Sequence, residues 1–277
     1  MELHYEVMKV RILILLFAFS LVRCEDQDLN TGDIETEPPI LNANFFLVNE
    51  VVGGYYSGLP AHYHETSRQY PTIIFIHGAG QHGDGDGQLH HVLNEAIPEL
   101  LQQKRFPASF TVHGSNYSFI ILAPQFSIPP TDTQVLSFIN YAKDTYRIDT
   151  ARIFLVGFSE GGTTASDVAA AHPGLFAALV AIAGVSKSGD VESKCKSIAD
   201  NHLPVWLFHN DMDQLMDVNL TRNFASLINS FHPPIPPKYT EFLPYGLWNH
   251  DAWTKATDPA FKENGMNIYE WMLQYRR

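Results

Sequence analysis

Short runs of aliphatic and aromatic residues alternate along this chain with longer stretches in which apolar positions recur every three or four residues. Ile73, Ile74, Phe75 and Ile76 stand in succession within Thr72 to His77. A run that is apolar on both faces suits a strand in the middle of a sheet, because helices cover it above and below. Ser118 to Ala123 (closed by Pro124), Arg152 to Val156, Ala177 to Ala183, Val205 to His209 and Tyr239 to Leu243 read as further strands, and Phe45 to Val51 as the first. Between them, Val135, Ile139, Ala142 and Tyr146 fall on one face of a helix that Asp132 can cap after Pro129 and Pro130. Gly161 to Ala171, stopped by His172-Pro173, reads as a helix, as do Val218 to Ile228 and Asn267 to Tyr275. Strand and helix taken in turn predict the α/β class: a mainly parallel central sheet with helices on both faces.

The start of the chain follows a different pattern. Met8-Lys9-Val10-Arg11 is basic, and Ile12 to Val22 is an uncharged, mostly aliphatic run. That run is too short to cross a hydrocarbon core of about 30 Å as a helix, so it reads as the apolar part of an export signal. Glu2 and Glu6 suit such a signal poorly, which places the true start at Met8. Cys24 follows Leu21-Val22-Arg23, a pattern that resembles a bacterial lipoprotein signal. Leu21 fits it and Arg23 departs from it, so lipidation of Cys24 and ordinary signal cleavage both stand. Residues 1–24 are expected to be the signal. Residues 25–42, polar, acidic and rich in proline at their end, are expected to form a flexible leader. Residues 43–277 are expected to form one folded domain. The mature protein is expected to be exported: periplasmic, attached to the cell surface through Cys24, or secreted.

Composition narrows the function further. With 45% hydrophobic and 17% charged residues the chain has an ordinary globular balance. Its net charge is -12 and it contains no block of basic residues, which excludes nucleic acid as an expected partner. The second of its two cysteines, Cys195, has no activating neighbour in sequence, and two cysteines alone cannot cage a metal. The D-x-D-G fragment within Gly83-Asp84-Gly85-Asp86-Gly87 lacks the later ligands of a calcium loop and reads as a flexible loop. No cofactor or metal is expected.

The chemistry gathers around Gly157-Phe158-Ser159-Glu160-Gly161-Gly162. This G-x-S-x-G follows a strand and opens a helix, the context in which such a motif makes a nucleophile elbow. The turn is sharp, so side chains at 157 and 161 would collide, and it lifts the Ser159 hydroxyl to the positive end of the following helix. A serine hydroxyl needs a base to take its proton. In this arrangement the chain order is serine, acid, histidine. His250, within Trp248-Asn249-His250-Asp251-Ala252-Trp253, follows the last strand and is the candidate base. The acid is expected after Val205 to His209, where Asp213 is preferred over Asp211 and Asp217. An oxyanion would be held by the backbone N–H of Glu160 and by a second from Gly78-Ala79-Gly80, with Ala79 preferred and Gly78 and Gly80 open. His77 is expected to orient that loop. Phe158, Phe126, Trp248 and Trp253 are candidates to line the substrate pocket.

These residues, with His77-Gly78-Ala79-Gly80, Ala123-Pro124-Gln125 and Asp149-Thr150-Ala151-Arg152-Ile153, resemble the α/β-hydrolase esterases. The resemblance covers about residues 45 to 275. It is nearest to the exported polyhydroxybutyrate depolymerases, feruloyl and acetyl-xylan esterases, and phospholipase/carboxylesterase or "predicted peptidase" proteins. It implies that 43–277 is a catalytic domain that cleaves carboxylic esters, small or carbohydrate-linked, through Ser159, His250 and Asp213 and an acyl-enzyme. The chain departs from the family's pattern at Asn210, where glycine is usual, and at Glu160, where a neutral residue is usual. The alternatives are a serine peptidase of the same fold and a catalytically silent binding protein.

Overall fold

A computed structural model describes residues 34–244 and 249–277. The expected signal, Cys24 and Trp248 lie outside the described residues. Eight strands form the central sheet in the order β1 (Ile40–Asn44), β2 (Val52–Leu59), β6 (Ile120–Phe126), β3 (Tyr70–Ile76), β7 (Ile148–Phe158), β8 (Ala178–Ile182), β9 (Val205–Asn210), β10 (Lys238–Phe242). From β6 to β10 every pairing is parallel, while β1 with β2 and β2 with β6 are antiparallel. The sheet is thus the mainly parallel one expected. A small hairpin, β4 (Phe110–Val112) and β5 (Ser115–Tyr117), lies apart from it.

Successive residues of a strand face opposite ways, and here each face has its own core. Ile74, Ile76, Leu155 and Leu179 pack with α2 (Asp132–Thr145), α3 (Glu160–Ala171), α4 (Val191–Asp200) and α5 (Val218–Ser230). Ile73, Phe75, Phe154 and Val180 pack with α1 (Ala96–Gln102), α6 (Ala252–Ala256), α7 (Ile268–Met272) and the hairpin. On α2 the buried residues are Val135, Phe138, Ile139 and Ala142. Its cap is Thr131, not the expected Asp132. The Thr131 hydroxyl accepts from the Gln134 N–H, and the Gln134 side chain accepts from the Thr131 N–H, which satisfies two donors that a helix end leaves open.

The N-terminal edge corrects two expectations. Phe45 to Val51 is not a strand. Phe45, Phe46 and Leu47 are exposed on the connection between β1 and β2. Nor does the leader extend to residue 42. Ile40 already pairs with Leu59, and Glu35 is 4% exposed, taking hydrogen bonds from His62 at 2.7 Å and Arg68 at 3.4 Å. β2 carries glycines because another segment lies against it: a Cβ on Gly54 would stand 2.0 Å from the Gly85 carbonyl oxygen.

Tyr55 of β2 ties this antiparallel edge to α2. Its buried hydroxyl meets those of Tyr141 at 3.0 Å and Tyr146 at 2.8 Å. Tyr55→Phe leaves two hydroxyls without their shared partner, and we expect it to lower stability by about 1–2 kcal/mol and Tm by about 2–6 °C. A thermal melt that does not move would show that the trio contributes nothing.

Candidate active site

At the C-terminal ends of the parallel strands the chain leaves β7 in a turn tighter than any side chain beside it would allow. Ser159 takes φ 56° and ψ -119°, a left-handed conformation that a residue other than glycine rarely adopts. Its N–H donates to the Ile182 carbonyl at 2.8 Å, and its own carbonyl accepts from Thr163 N–H at 3.1 Å. A Cβ on Gly157 would lie 2.1 Å from the Gly161 oxygen, and one on Gly161 would lie 2.1 Å from the Ile76 oxygen. A further glycine that sequence reasoning missed completes the turn: at Gly184, after β8, a Cβ would sit 2.0 Å from the Ser159 oxygen.

The structure brings Ser159, His250 and Asp213 together. Ser159 Oγ and His250 Nε2 are 2.8 Å apart, and His250 Nδ1 is 2.7 Å from Asp213 Oδ2. Nδ1–H donates to the carboxylate, so Nε2 is left to accept the serine proton. The other two aspartates have different partners. Asp217 caps α5 through the Asn219 N–H, and Asp211 lies 3.2 Å from Arg222.

Asp213 is fully buried, which by itself would raise its pKa, but hydrogen bonds outweigh burial and hold it well below the usual carboxylate range. Oδ1 accepts the N–H groups of Leu215 at 2.8 Å and Met216 at 3.0 Å. Oδ2 is reached both by His250 and, at 3.2 Å, by Nε2 of His209. His209 is buried at the end of β9; its Nε2 also lies 3.0 Å from the Met216 carbonyl oxygen, which can only accept, so Nε2 carries a hydrogen, and its Nδ1 is 2.7 Å from the Thr221 hydroxyl. Its role was missed; the signal was a histidine four positions before the acid. Asn210, the departure from the family's glycine, donates to Asp251 Oδ1 at 2.9 Å and so joins the segment carrying Asp213 to the one carrying His250.

The loop after β3 lies beside the turn. Gly78 N–H donates to Glu95 at 2.9 Å, which removes Gly78 from the three candidate oxyanion donors and leaves Ala79 and Gly80. Glu95 is 3% exposed, and burial pushes its pKa up to about 7, against the Gly78 N–H that opposes the rise. His77 is neutral: burial lowers its pKa to about 4, its Nδ1–H donates to the Gly78 carbonyl at 2.7 Å, and its Nε2 accepts Phe126 N–H at 3.0 Å. Gln125, fully buried, fastens the glycine-rich stretch that was expected to be a flexible loop. It donates to the carbonyls of Gln81 at 2.9 Å and Gln88 at 2.7 Å, and accepts Gly85 N–H at 2.9 Å. Asp84 folds back on the N–H groups of Asp86 and Gln88.

Glu160 opens α3 next to Ser159, and its carboxylate lies 2.7 Å from His82 Nε2. The described residues expected to wall the pocket lie around His250 or in the core. Phe158 is 4% exposed and Phe126 is fully buried. The Phe158 ring packs 5.2 Å from that of His250 and 4.3 Å from that of Trp253. Trp253 is partly exposed. Cys195 is buried in the core, where burial pushes its thiol up to about 12. Among the described residues, no group of three histidine, cysteine, aspartate or glutamate side chains could hold a metal.

A mainly parallel sheet with a left-handed serine between strand and helix defines an α/β hydrolase, an enzyme of the serine hydrolase class. The model of the phospholipase/carboxylesterase family matches residues 63–242, and the chain belongs to that family. It is 25% identical over 165 residues to acyl-protein thioesterase 1 of Saccharomyces cerevisiae, covering 54% of this chain and 73% of the yeast protein. A thermostable esterase has a similar fold, with TM-score 0.57, 22% identity and 88% of this chain covered; the chain spans 64% of that esterase's length. The feruloyl esterase module from Clostridium thermocellum, complexed with sinapinate, also matches, with TM-score 0.57, 12% identity, and 82% and 88% of the two chains covered.

Two outcomes follow from this geometry. Gly184→Ala forces a methyl group into the Ser159 carbonyl; we expect a loss of stability of about 2–4 kcal/mol, read by urea unfolding, and an unchanged midpoint would contradict the packing. Glu95 gives a pH signature. Unfolded, it releases its proton near the ordinary 4.5; folded, it holds it to about 7. The folded state therefore binds more protons between these values, so this group's contribution to stability falls as pH rises from about 4.5 to about 7 and is level above. Glu95→Gln should remove that slope. Identical slopes in parent and variant would show that Glu95 titrates normally.

Proposed function

We propose that this protein is an exported serine hydrolase that cleaves carboxylic esters through an acyl-enzyme intermediate. The observation that supports this most is the unbroken hydrogen-bonded chain from Asp213 through His250 to Ser159, with contacts of 2.7 and 2.8 Å. In this reading Ser159 Oγ attacks the ester carbonyl as His250 Nε2 takes its proton. The backbone N–H groups of Glu160 and Ala79 hold the oxyanion. On collapse, His250 gives the proton to the departing alkoxide, which leaves as the alcohol. Water then attacks the acyl-serine, yields its proton to His250, and the acid departs as the proton returns to Ser159. Asp213 stays ionised throughout, fixing the imidazole tautomer and stabilising the imidazolium.

Small or carbohydrate-linked esters are the proposed substrates. A thioester, the class named for the yeast relative, would follow the same steps with a thiolate leaving group. Export rests on Met8 to Arg11 and the aliphatic run to Val22, with Cys24 as the residue for lipid attachment. N-terminal sequencing of the mature protein should begin at or beyond Cys24, and an intact signal would refute export.

Turnover of a short-chain p-nitrophenyl ester should fall about 10⁴-fold or more in Ser159→Ala. Asp213→Asn, which offers the wrong tautomer partner, should cost about 10⁴-fold in kcat. Turnover that survives Ser159→Ala removes the nucleophile from its role. A wild-type protein inert to both the ester and a fluorophosphonate probe is the outcome expected of a silent fold. Acetylated xylan, methyl ferulate, graded acyl esters and a peptide amide, compared by kcat/KM, would rank the substrate classes and separate esterase from peptidase.

A further inference from the structure

The two segments proposed to hold the oxyanion come from distant parts of the chain. One is the turn Ala79–Gln81, the other the first residue of α3. The turn is fixed at its start, where Gly78 N–H is taken by Glu95. At its end stands His82, which reaches across to Glu160 with 2.7 Å between Nε2 and Oε1. The other ring nitrogen, Nδ1, is 3.0 Å from the Phe126 carbonyl oxygen.

Both partners of this ring accept hydrogen bonds: a carbonyl oxygen and a carboxylate. The Phe126 carbonyl can only accept, so Nδ1–H donates to it, and the hydrogen between Nε2 and Glu160 is shared by the ring and the carboxyl group. The neighbouring ring of His77 stands 5.2 Å away and is neutral, since its Nε2 accepts Phe126 N–H. The pair is only partly shielded, with 22% and 33% of the side chains exposed, so a large share of stability is not expected from it. Its position is what matters. It fastens the end of one donor segment to the residue whose own N–H is the other donor. It also cancels a carboxylate charge that would oppose an oxyanion a few atoms away.

We propose that His82 and Glu160 act as one positioning unit, an ion pair that sets the two halves of the oxyanion hole in register. The inference rests on the proposed serine-hydrolase reading and explains why this chain carries an acid directly after its nucleophile. It separates the two partners by sign. Removing His82 both frees the turn and leaves a carboxylate beside the hole. Removing Glu160 only frees the turn.

The test uses the full-length protein and a short-chain p-nitrophenyl ester, with Tm recorded for each variant. His82→Gln should lower kcat about 30-fold and Glu160→Gln about fivefold, each with KM within about twofold of wild type. The double variant should be no slower than His82→Gln alone, because partners in one unit do not add. Inhibition by an alkyl boronic acid, whose tetrahedral serine adduct occupies the same hole, should weaken in step with kcat. His82→Arg, which keeps a cation with several donors, should recover kcat to within about threefold. Single variants within twofold of wild type in kcat, losses that multiply in the double variant, or losses that fall on KM instead would overturn the proposal. If either Gln variant melts early, failure of His82→Arg to recover kcat at wild-type Tm overturns it equally. Wild-type turnover that is absent, or that persists in Ser159→Ala, sinks the parent reading and this inference with it, and is told apart by those two controls.

Discussion

The backbone at Ser159 is the constraint around which the C-terminal edge of the sheet is arranged. A left-handed turn at a residue with a side chain costs on the order of 1–3 kcal/mol, so the surroundings must hold it in place. Here β8 accepts the serine N–H and α3 begins at once to donate to its carbonyl. The bare backbones of Gly157, Gly161 and Gly184 crowd in where no Cβ would fit. A turn this tight has one consequence for chemistry. The hydroxyl stands clear of the sheet while the N–H of the next residue, Glu160, is the first of a helix and has no partner within it.

Two buried carboxyl groups near this turn illustrate how hydrogen bonding decides charge. Asp213 is reached by two backbone N–H groups and two imidazoles, which together outweigh burial and keep it ionised. Glu95 is more deeply buried and is met by a single backbone N–H, and burial prevails. In the proposed mechanism, a base that takes up a proton needs the first environment. The second suits a carboxyl whose task is to grip a loop. The same logic, applied to ring nitrogens, makes His77 a neutral fastener, with one nitrogen donating and the other accepting.

Much of this was legible in the sequence because central strands and the elbow have local signatures. Ile73 to Ile76, short and rich in β-branched residues, suits a covered strand, and G-x-S-x-G between strand and helix leaves few other readings. The order of serine, acid and base narrowed Asp213 and His250 from many candidates. What escaped was non-local. β2 was missed because its glycines, which the approach of Gly85 requires, weaken any strand signal. α4 was missed because only Val191, Cys195, Ile198 and Ala199 among its ten residues are apolar. Conversely, Phe45 to Leu47 had a strand's composition but no covering element. Gly184, His209, Gln125 and the partner of Glu160 could be assigned only once the pieces were set side by side, since each acts on a segment distant in the chain.

The anchoring of Glu35 bears on how the body is carried. Glu35 is gripped by Arg68, just before β3, and by His62, just after β2, both at the N-terminal ends of the parallel strands. Ser159 lies at the opposite end, one strand length or roughly 20 Å away at about 3.3 Å per residue. Glu35 is therefore held at the end of the sheet opposite Ser159. In the exported protein proposed above, a tether on that side would leave the Ser159 hydroxyl facing away from the point of attachment.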